Sequence, residues 1–185
     1  MLKKILIGAV AALLALVVVI ALQPATFRVE RSIDIAAPAP SVHALVNDFH
    51  AWRSWSPWEK LDPGMQRTFE GAPSGVGAKY AWQGNGEVGA GRMTIEHSDP
   101  ARIVVKLEFL KPFEATNTAT FTFTSTARGT HATWAMDGRN NFVSKAFHLL
   151  MDMDKMVGGD FERGLRSIKA GAEASSGSPS VAAVN

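Results

Sequence analysis

The chain of 185 residues contains no cysteine. Disulfides, thiolate metal sites, cysteine nucleophiles and lipoprotein-type acylation are therefore excluded, while the redox compartment stays open. Charge of one sign is also scarce. Lys and Arg number 19 against 17 Asp and Glu, and Lys3 and Lys4 supply the whole excess. Residues 5–185 thus balance at 17 against 17, which argues against a phosphate-tracking surface and so against a nucleic-acid partner. Catalytic signatures are missing too. There is no Gly-x-Ser-x-Gly elbow and no His-Glu-x-x-His. Gly84-Asn85-Gly86 and Gly89-Ala90-Gly91 lack the Gly-Lys-Ser/Thr and the strand–helix setting of a phosphate cradle, so they read as turns and no cofactor is implied. His43 and His50 could share a face, but no third ligand follows at zinc-type spacing, and no metal is expected. No internal repeat suggests a solenoid.

The most marked positive feature is ILIGAVAALLALVVVIAL, the run from Ile5 to Leu22 without a polar side chain. At 1.5 Å per residue it spans roughly 27 Å, close to the ~30 Å hydrocarbon core of a bilayer. Lys3 and Lys4 precede it and Gln23-Pro24 end it. Positive charge stays inside, so residues 1–24 are expected to be a single-pass anchor, crossing the membrane through residues 5–22, with the remainder on the extracytoplasmic, periplasmic side. A cleaved signal peptide is the competing reading. Its apolar region is normally shorter, and Val19-Ile20-Ala21 is a poor match to the small-x-small cleavage pattern. The run also raises the mean hydropathy of the chain to +0.04.

Beyond the run, FRVERSIDI places Phe27, Val29, Ile33 and Ile35 on one face of a half-buried strand. Arg31 breaks that face and needs a partner: an acid in an ion pair, or the head of an amphipathic ligand. Pro38 and Pro40 mark a turn, and Ser41 opens a short helical pattern through Val42, Leu45 and Val46. HAWRSWSPWEKLDPG, punctuated by Pro57 and Pro63, is limited to short turns and loops. Six further strands are expected in MQRTFEG, GAKYAWQG, GRMTIEHS, ARIVVKLEFL, EATNTATFTFTST and THATWAMDG, with short connections that argue for an antiparallel meander. The alternate threonines from Thr116 to Thr126 read as its solvated face. From Val143 to Ala170 the period becomes helical, with Val143, Phe147, Leu150, Val157, Phe161, Leu165 and Ile168 on one stripe. Gly158-Gly159 is expected to interrupt that helix. Residues 171–185 are small and polar and are expected to be a disordered tail.

One strand, two short helices, six strands and a long amphipathic helix form an order that resembles the START-like, or SRPBCC, superfamily. It is most similar to bacterial members of the polyketide cyclase/dehydrase type. The residues that carry the resemblance are Ile35-Ala36-Ala37-Pro38, the helix from Val42 to Val46, Trp52-Arg53-Ser54-Trp55-Ser56-Pro57-Trp58, Gly75-Val76-Gly77-Ala78 and Phe161-Glu162-Arg163-Gly164-Leu165. The resemblance implies an α+β helix-grip domain over residues 27–170: a curved antiparallel seven-stranded sheet around the C-terminal helix, with a cavity for an apolar ligand between them. It implies no single activity.

Candidate ligand-lining residues follow from strand faces rich in Met and aromatics, which suit both an adaptable apolar site and a filled core. They are Tyr80 and Trp82, Met93 and Ile95, Phe121 and Phe123, and Trp134 and Met136, with Asn117 as a polar member. Met153, Val157 and Phe161 face them from the helix. Trp55 and Trp58, with Trp52, either pack a loop on the sheet, line a cavity mouth, or touch lipid headgroups. Acid–base chemistry would need two groups converging in the pocket, and Glu108, Asp137, His97, His131 and Tyr80 are the scattered possibilities. His97 and His131 show no carboxylate spacing that suggests a dyad, so no catalytic residue is assigned. The expected role is a membrane-tethered domain that binds a small hydrophobic or amphipathic, lipid-like molecule. A cyclase or dehydratase-like enzyme and a protein-interaction module of unknown partner are the alternatives.

Overall fold

A computed structural model describes residues 1–149 and 153–177. The apolar run forms α1 (Leu2–Ala21), a helix long and apolar enough to cross a membrane by length and composition, with only Ile20 buried. The sheet begins at once with β1 (Thr26–Ile35). Two short helices follow: α2 (Ala39–Asn47), with proline in its first turn, and the single turn α3 (Trp52–Trp55). A 3-10 turn, Pro57–Lys60, leads into the meander. Its strands are β2 (Gln66–Gly71), β3 (Ala78–Gln83), β4 (Ala90–Asp99), β5 (Arg102–Lys111), β6 (Ala115–Thr126) and β7 (Gly129–Arg139). All seven expected strands are present, in the order β1-β7-β6-β5-β4-β3-β2. Every pairing is antiparallel, and the first strand closes against the last, from Thr26 opposite Arg139 to Ile35 opposite Thr130.

The period-2 pattern decides which face is covered. On β6, Asn117, Ala119, Phe121 and Phe123 are buried, and the threonines between them are exposed or half-buried. Register extends this inner face across the sheet: Ile103, Phe121, Trp134 and Arg31 form one row, and Tyr80, Met93, Leu107, Asn117, Gly138 and Phe27 another. Alternation holds on β1 as well, with Arg31 among its inner residues.

The C-terminal helical region differs from the single element expected over 143–170. It comprises α4 (Phe142–His148) and α5 (Met153–Gly177). Leu150 lies outside the described residues. α5 runs without a break through Gly158-Gly159, so the expected interruption is absent. The reason is the partner of Arg31: a Cβ at Gly158 would lie 2.1 Å from its Nη2. The glycine makes room for a guanidinium rather than for a kink. α5 also continues past residue 170, so residues 171–177 of the expected tail are helical, and residues 178–185 lie outside the described ones. Ala172 explains the extension, because it continues the buried stripe Phe161, Leu165 and Ile168 by one more turn. The principal contacts of α5 among the described residues are with β1, α2, α3, β7 and the 3-10 turn.

Candidate functional site

The tryptophan-rich loop resolves first. Trp52 donates its Nε1–H to the Val46 carbonyl at 2.9 Å, and Trp55 donates to Leu45 at 2.8 Å. These carbonyls belong to the last turn of α2, which has no helical partners of its own. Two indoles thus cap α2 while their rings fill the core, each 3% exposed. Trp58 is only partly buried, edge-on to Trp134 at 5.8 Å and to Phe161 at 6.4 Å.

The candidate lining residues divide between two ends of the inner face. At the α2 end, Ile95, Phe121, Phe123, Trp134 and Phe161 are closed core. Trp134 is stacked on Phe161 at 4.1 Å between ring centroids and on Phe121 at 4.8 Å, with Trp55 edge-on at 5.6 Å. One polar atom there has no partner: the Nε1–H of Trp134 is buried without an acceptor. Val157 packs against the same core. Met153 begins α5, and its side chain is outside the described ones.

At the other end, where β1 begins, the face is more open. Met93, Asn117 and Met136 are buried, but Trp82, Leu107, Phe109 and Phe27 are half-buried. Two glycines shape this floor. A Cβ at Gly91 would lie 2.4 Å from the Trp82 ring, and one at Gly138 would lie 2.3 Å from Phe27 and 2.4 Å from Asn117 Oδ1. Large side chains therefore lie flat across the neighbouring strands. The Trp82 indole donates to the Val88 carbonyl at 3.0 Å and meets Phe109 edge-on at 6.0 Å. Asn117 makes only a weak contact from Nδ2 to the Met136 sulfur, at 3.8 Å.

A polar cluster borders this floor at the β2 edge. Tyr80 donates its hydroxyl to Glu59 Oε1 at 2.7 Å, and Arg67 Nε donates to Glu59 Oε2 at 2.7 Å. The side chains of Glu59 and Arg67 are 6% and 15% exposed, so this pair is held largely out of water. Burial, then the bond to Glu59, pushes the Tyr80 phenol above its ordinary pKa. It stays protonated at neutral pH, with its proton committed to Glu59. Glu59, Arg67, Leu107 and Phe109 were not among the expected site residues. Leu107 and Phe109 were legible in principle, because ARIVVKLEFL alternates through Ile103 and Val105 to both. The pairing of Glu59 with Arg67 has no sequence signal, since a 3-10 turn and a strand edge bring them together.

The other acid–base possibilities do not converge on this face. Glu108 is bound by Arg92 at 2.9 and 3.0 Å, which holds its carboxyl down at about 2. Asp137 takes a short bond from Arg28 at 2.6 Å. His131 pairs with Asp34 at 2.7 Å. His97 does have a carboxylate, contrary to the sequence reading: Asp99 lies 2.7 Å from its Nε2. A bulge between Ile95 and His97 puts Ser98, not His97, opposite inner-face Ile103. Arg31 has the ion-pair role rather than a free one. It binds Asp154 at 2.9 and 3.0 Å and Glu162 at 3.1 Å, tying β1 to α5. A cleft of about 540 Å³ opens near Arg28, Thr118, Asp137 and Arg139 and reaches Phe27 and Gly138 at the start of β1. No group of three or more His, Cys, Asp or Glu able to hold a metal occurs among the described residues.

Residues 26–173 match the family model for polyketide cyclase / dehydrase and lipid transport, and the chain belongs to that family. Its helix-grip fold recurs in solved structures. The di-domain ARO/CYC StfQ from the steffimycin biosynthetic pathway shares 15% identity at a TM-score of 0.60, over 83% of this chain and 52% of that one. A Staphylococcus aureus protein of unknown function shares 13% at 0.59, over 81% and 95%. A Chromobacterium violaceum protein shares 16% at 0.55, over 81% and 99%. At these identities the likeness carries the fold alone. No curated protein matches the sequence.

Proposed function

We propose that this chain is a membrane-tethered binding module that holds a small hydrophobic or amphipathic, lipid-like molecule on the inner face of its sheet, beside α5. The observation that carries the reading is the open floor at the β1-start end. Trp82, Leu107, Phe109 and Phe27 are half-buried apolar groups on a concave surface, with glycines beneath them and one polar edge at Tyr80, Glu59 and Arg67. Burial of apolar ligand surface contributes roughly 25 cal/mol per Å², so binding needs no reacting group. A phenol raised above its ordinary pKa and bonded to Glu59, with that carboxylate also held by Arg67, suits orientation of a ligand head better than proton transfer, which wants a pKa near the working pH. The binding reading is therefore favoured over a cyclase or dehydratase. In this reading α1 stays in the membrane as the anchor, and Lys3 and Lys4 keep the N-terminus inside, so the domain lies on the extracytoplasmic side.

The test places a photoreactive benzoyl-phenylalanine at Leu107 in the full chain, irradiated in intact membranes, with Val76 as the control. A small-molecule adduct at Leu107 and none at Val76 supports the reading. Adducts to other proteins at Leu107, or no adduct at either position, contradict it.

A further inference from the structure

The open floor and the anchor share one end of the molecule. Only Gln23, Pro24 and Ala25 separate the Leu22 cap of α1 from the first residue of β1. This junction is clamped rather than loose. Asn140 donates its backbone N–H to the Ala25 carbonyl at 2.9 Å and its side-chain amide to Pro24 at 3.1 Å. Lys145 on α4 donates Nζ to the Ala21 carbonyl at 2.9 Å, placing a cation where the helix dipole favours one. The end of α1 therefore cannot swing freely against the domain.

The same end carries an apolar rim. Beyond residue 24, the exposed large apolar side chains among the described residues are Leu61, Val76, Leu110, Phe113, Phe142, Val143 and Leu149. The last five of these belong to two segments. One is the β5–β6 hairpin tip, placed at this end by the pairing of Asn117 with Gly138 and of Thr26 with Arg139. The other is α4 with the residue after it, which leave β7 at that end. Lys111, Arg139 and Lys145 are set among them, against one acid, Glu114, at the hairpin tip. Apolar side chains interspersed with cations are the composition of surfaces that settle into an anionic headgroup layer. A transmembrane helix already holds the domain there, so the second contact forms within one molecule and needs little affinity of its own.

We propose that the β5–β6 hairpin tip and α4 form a second membrane contact, seating the domain floor-side down on the leaflet from which α1 emerges. The occupant of the rim is the lipid bilayer, and the floor then exchanges its ligand directly with that leaflet. The proposal rests on the anchored, ligand-binding reading above. The absence of cysteine makes single-site labelling clean. Leu110→Cys, Val143→Cys, Val76→Cys and Leu14→Cys in the full chain would each carry a nitroxide, in vesicles of phosphatidylcholine and phosphatidylglycerol. All four positions are exposed, at 46, 54, 58 and 61%, so labelling leaves the core untouched. Accessibility to oxygen over an aqueous nickel chelate should be several-fold higher at 110 and 143 than at 76, approaching the value at 14. Equal values at 110, 143 and 76 with a lipid value at 14 overturn the rim and leave anchor and binding intact. Low access to both reagents at 110 and 143 means a protein covers the rim, and also overturns it. An aqueous value at 14 removes the anchor and this proposal with it.

Discussion

Trp134 holds a buried donor without an acceptor, while Trp55, edge-on to it at 5.6 Å, has one. Leaving a buried polar group unpaired costs about 1–3 kcal/mol, so the two tryptophans should respond differently to the same change. Trp55→Phe orphans the Leu45 carbonyl. Trp134→Phe removes an orphan. We expect Trp55→Phe to lose more stability than Trp134→Phe, by about 1–2 kcal/mol, in thermal unfolding followed by near-ultraviolet circular dichroism. Equal losses would show that the rings alone matter. Arg31 and Gly158 form a second pair. Gly158→Ala pushes a methyl into the guanidinium, and overpacking of this kind typically costs about 1–3 kcal/mol. In an Arg31→Met background, the same change should cost much less, because alanine is the better helix former by about 1 kcal/mol. A double-mutant cycle with no coupling would remove the reason given for the glycine.

At the scale of elements, the floor depends on strands carrying no side chain where an aromatic lies across them. Gly91→Ala should displace Trp82, destabilise the domain by about 1–3 kcal/mol, and abolish the Leu107 photoadduct more severely than it lowers the melting temperature. An unchanged adduct would show that the Trp82 position is not part of the site. The strands themselves were legible in the sequence, because alternation such as Thr-Phe-Thr-Phe on β6 survives into burial. So was the role of the last helix, through the stripe Phe161, Leu165 and Ile168. Its bounds were not. A stripe cannot distinguish one helix from two that share a face, and Gly158 read alone gives a kink where an arginine from another element gives contact. The proposed site was legible in half. Tyr80, Trp82 and Met93 announced themselves by alternation, but Phe121, Trp134 and Phe161, equally aromatic, turned out to be packed on one another. Composition names what can line a cavity, whereas register and helix placement decide which end is open.

For the whole molecule, ion pairs join distant segments and set the acid limit. Arg31 ties β1 to α5, Lys169 bonds Glu173 at 2.6 Å, and that carboxylate also accepts the Ala36 N–H at 2.7 Å. Hydrogen bonds from Arg31, Lys169, Arg92, His131 and His97 hold Asp154, Glu173, Glu108, Asp34 and Asp99 below their ordinary values. Carboxylates depressed in the folded state bind fewer protons than when unfolded. Their contribution is complete above the ordinary values, 3.8 for Asp and 4.5 for Glu, and is lost as pH falls below them, for Glu108 toward about 2. Melting temperature should thus be insensitive to these groups above pH 5 and decline gradually below about 4.5, by the modest amount that exposed ion pairs contribute. A flat profile down to pH 3 would show that these pairs do not support the fold. The central claim, that the domain carries a lipid-like molecule, is tested most directly by native mass spectrometry of the full chain released from native membranes. The same sample should be run denatured and extracted with organic solvent. We predict a discrete extra mass that disappears on denaturation and is recovered as a small molecule in the extract. A single mass equal to that of the polypeptide under both conditions would contradict it.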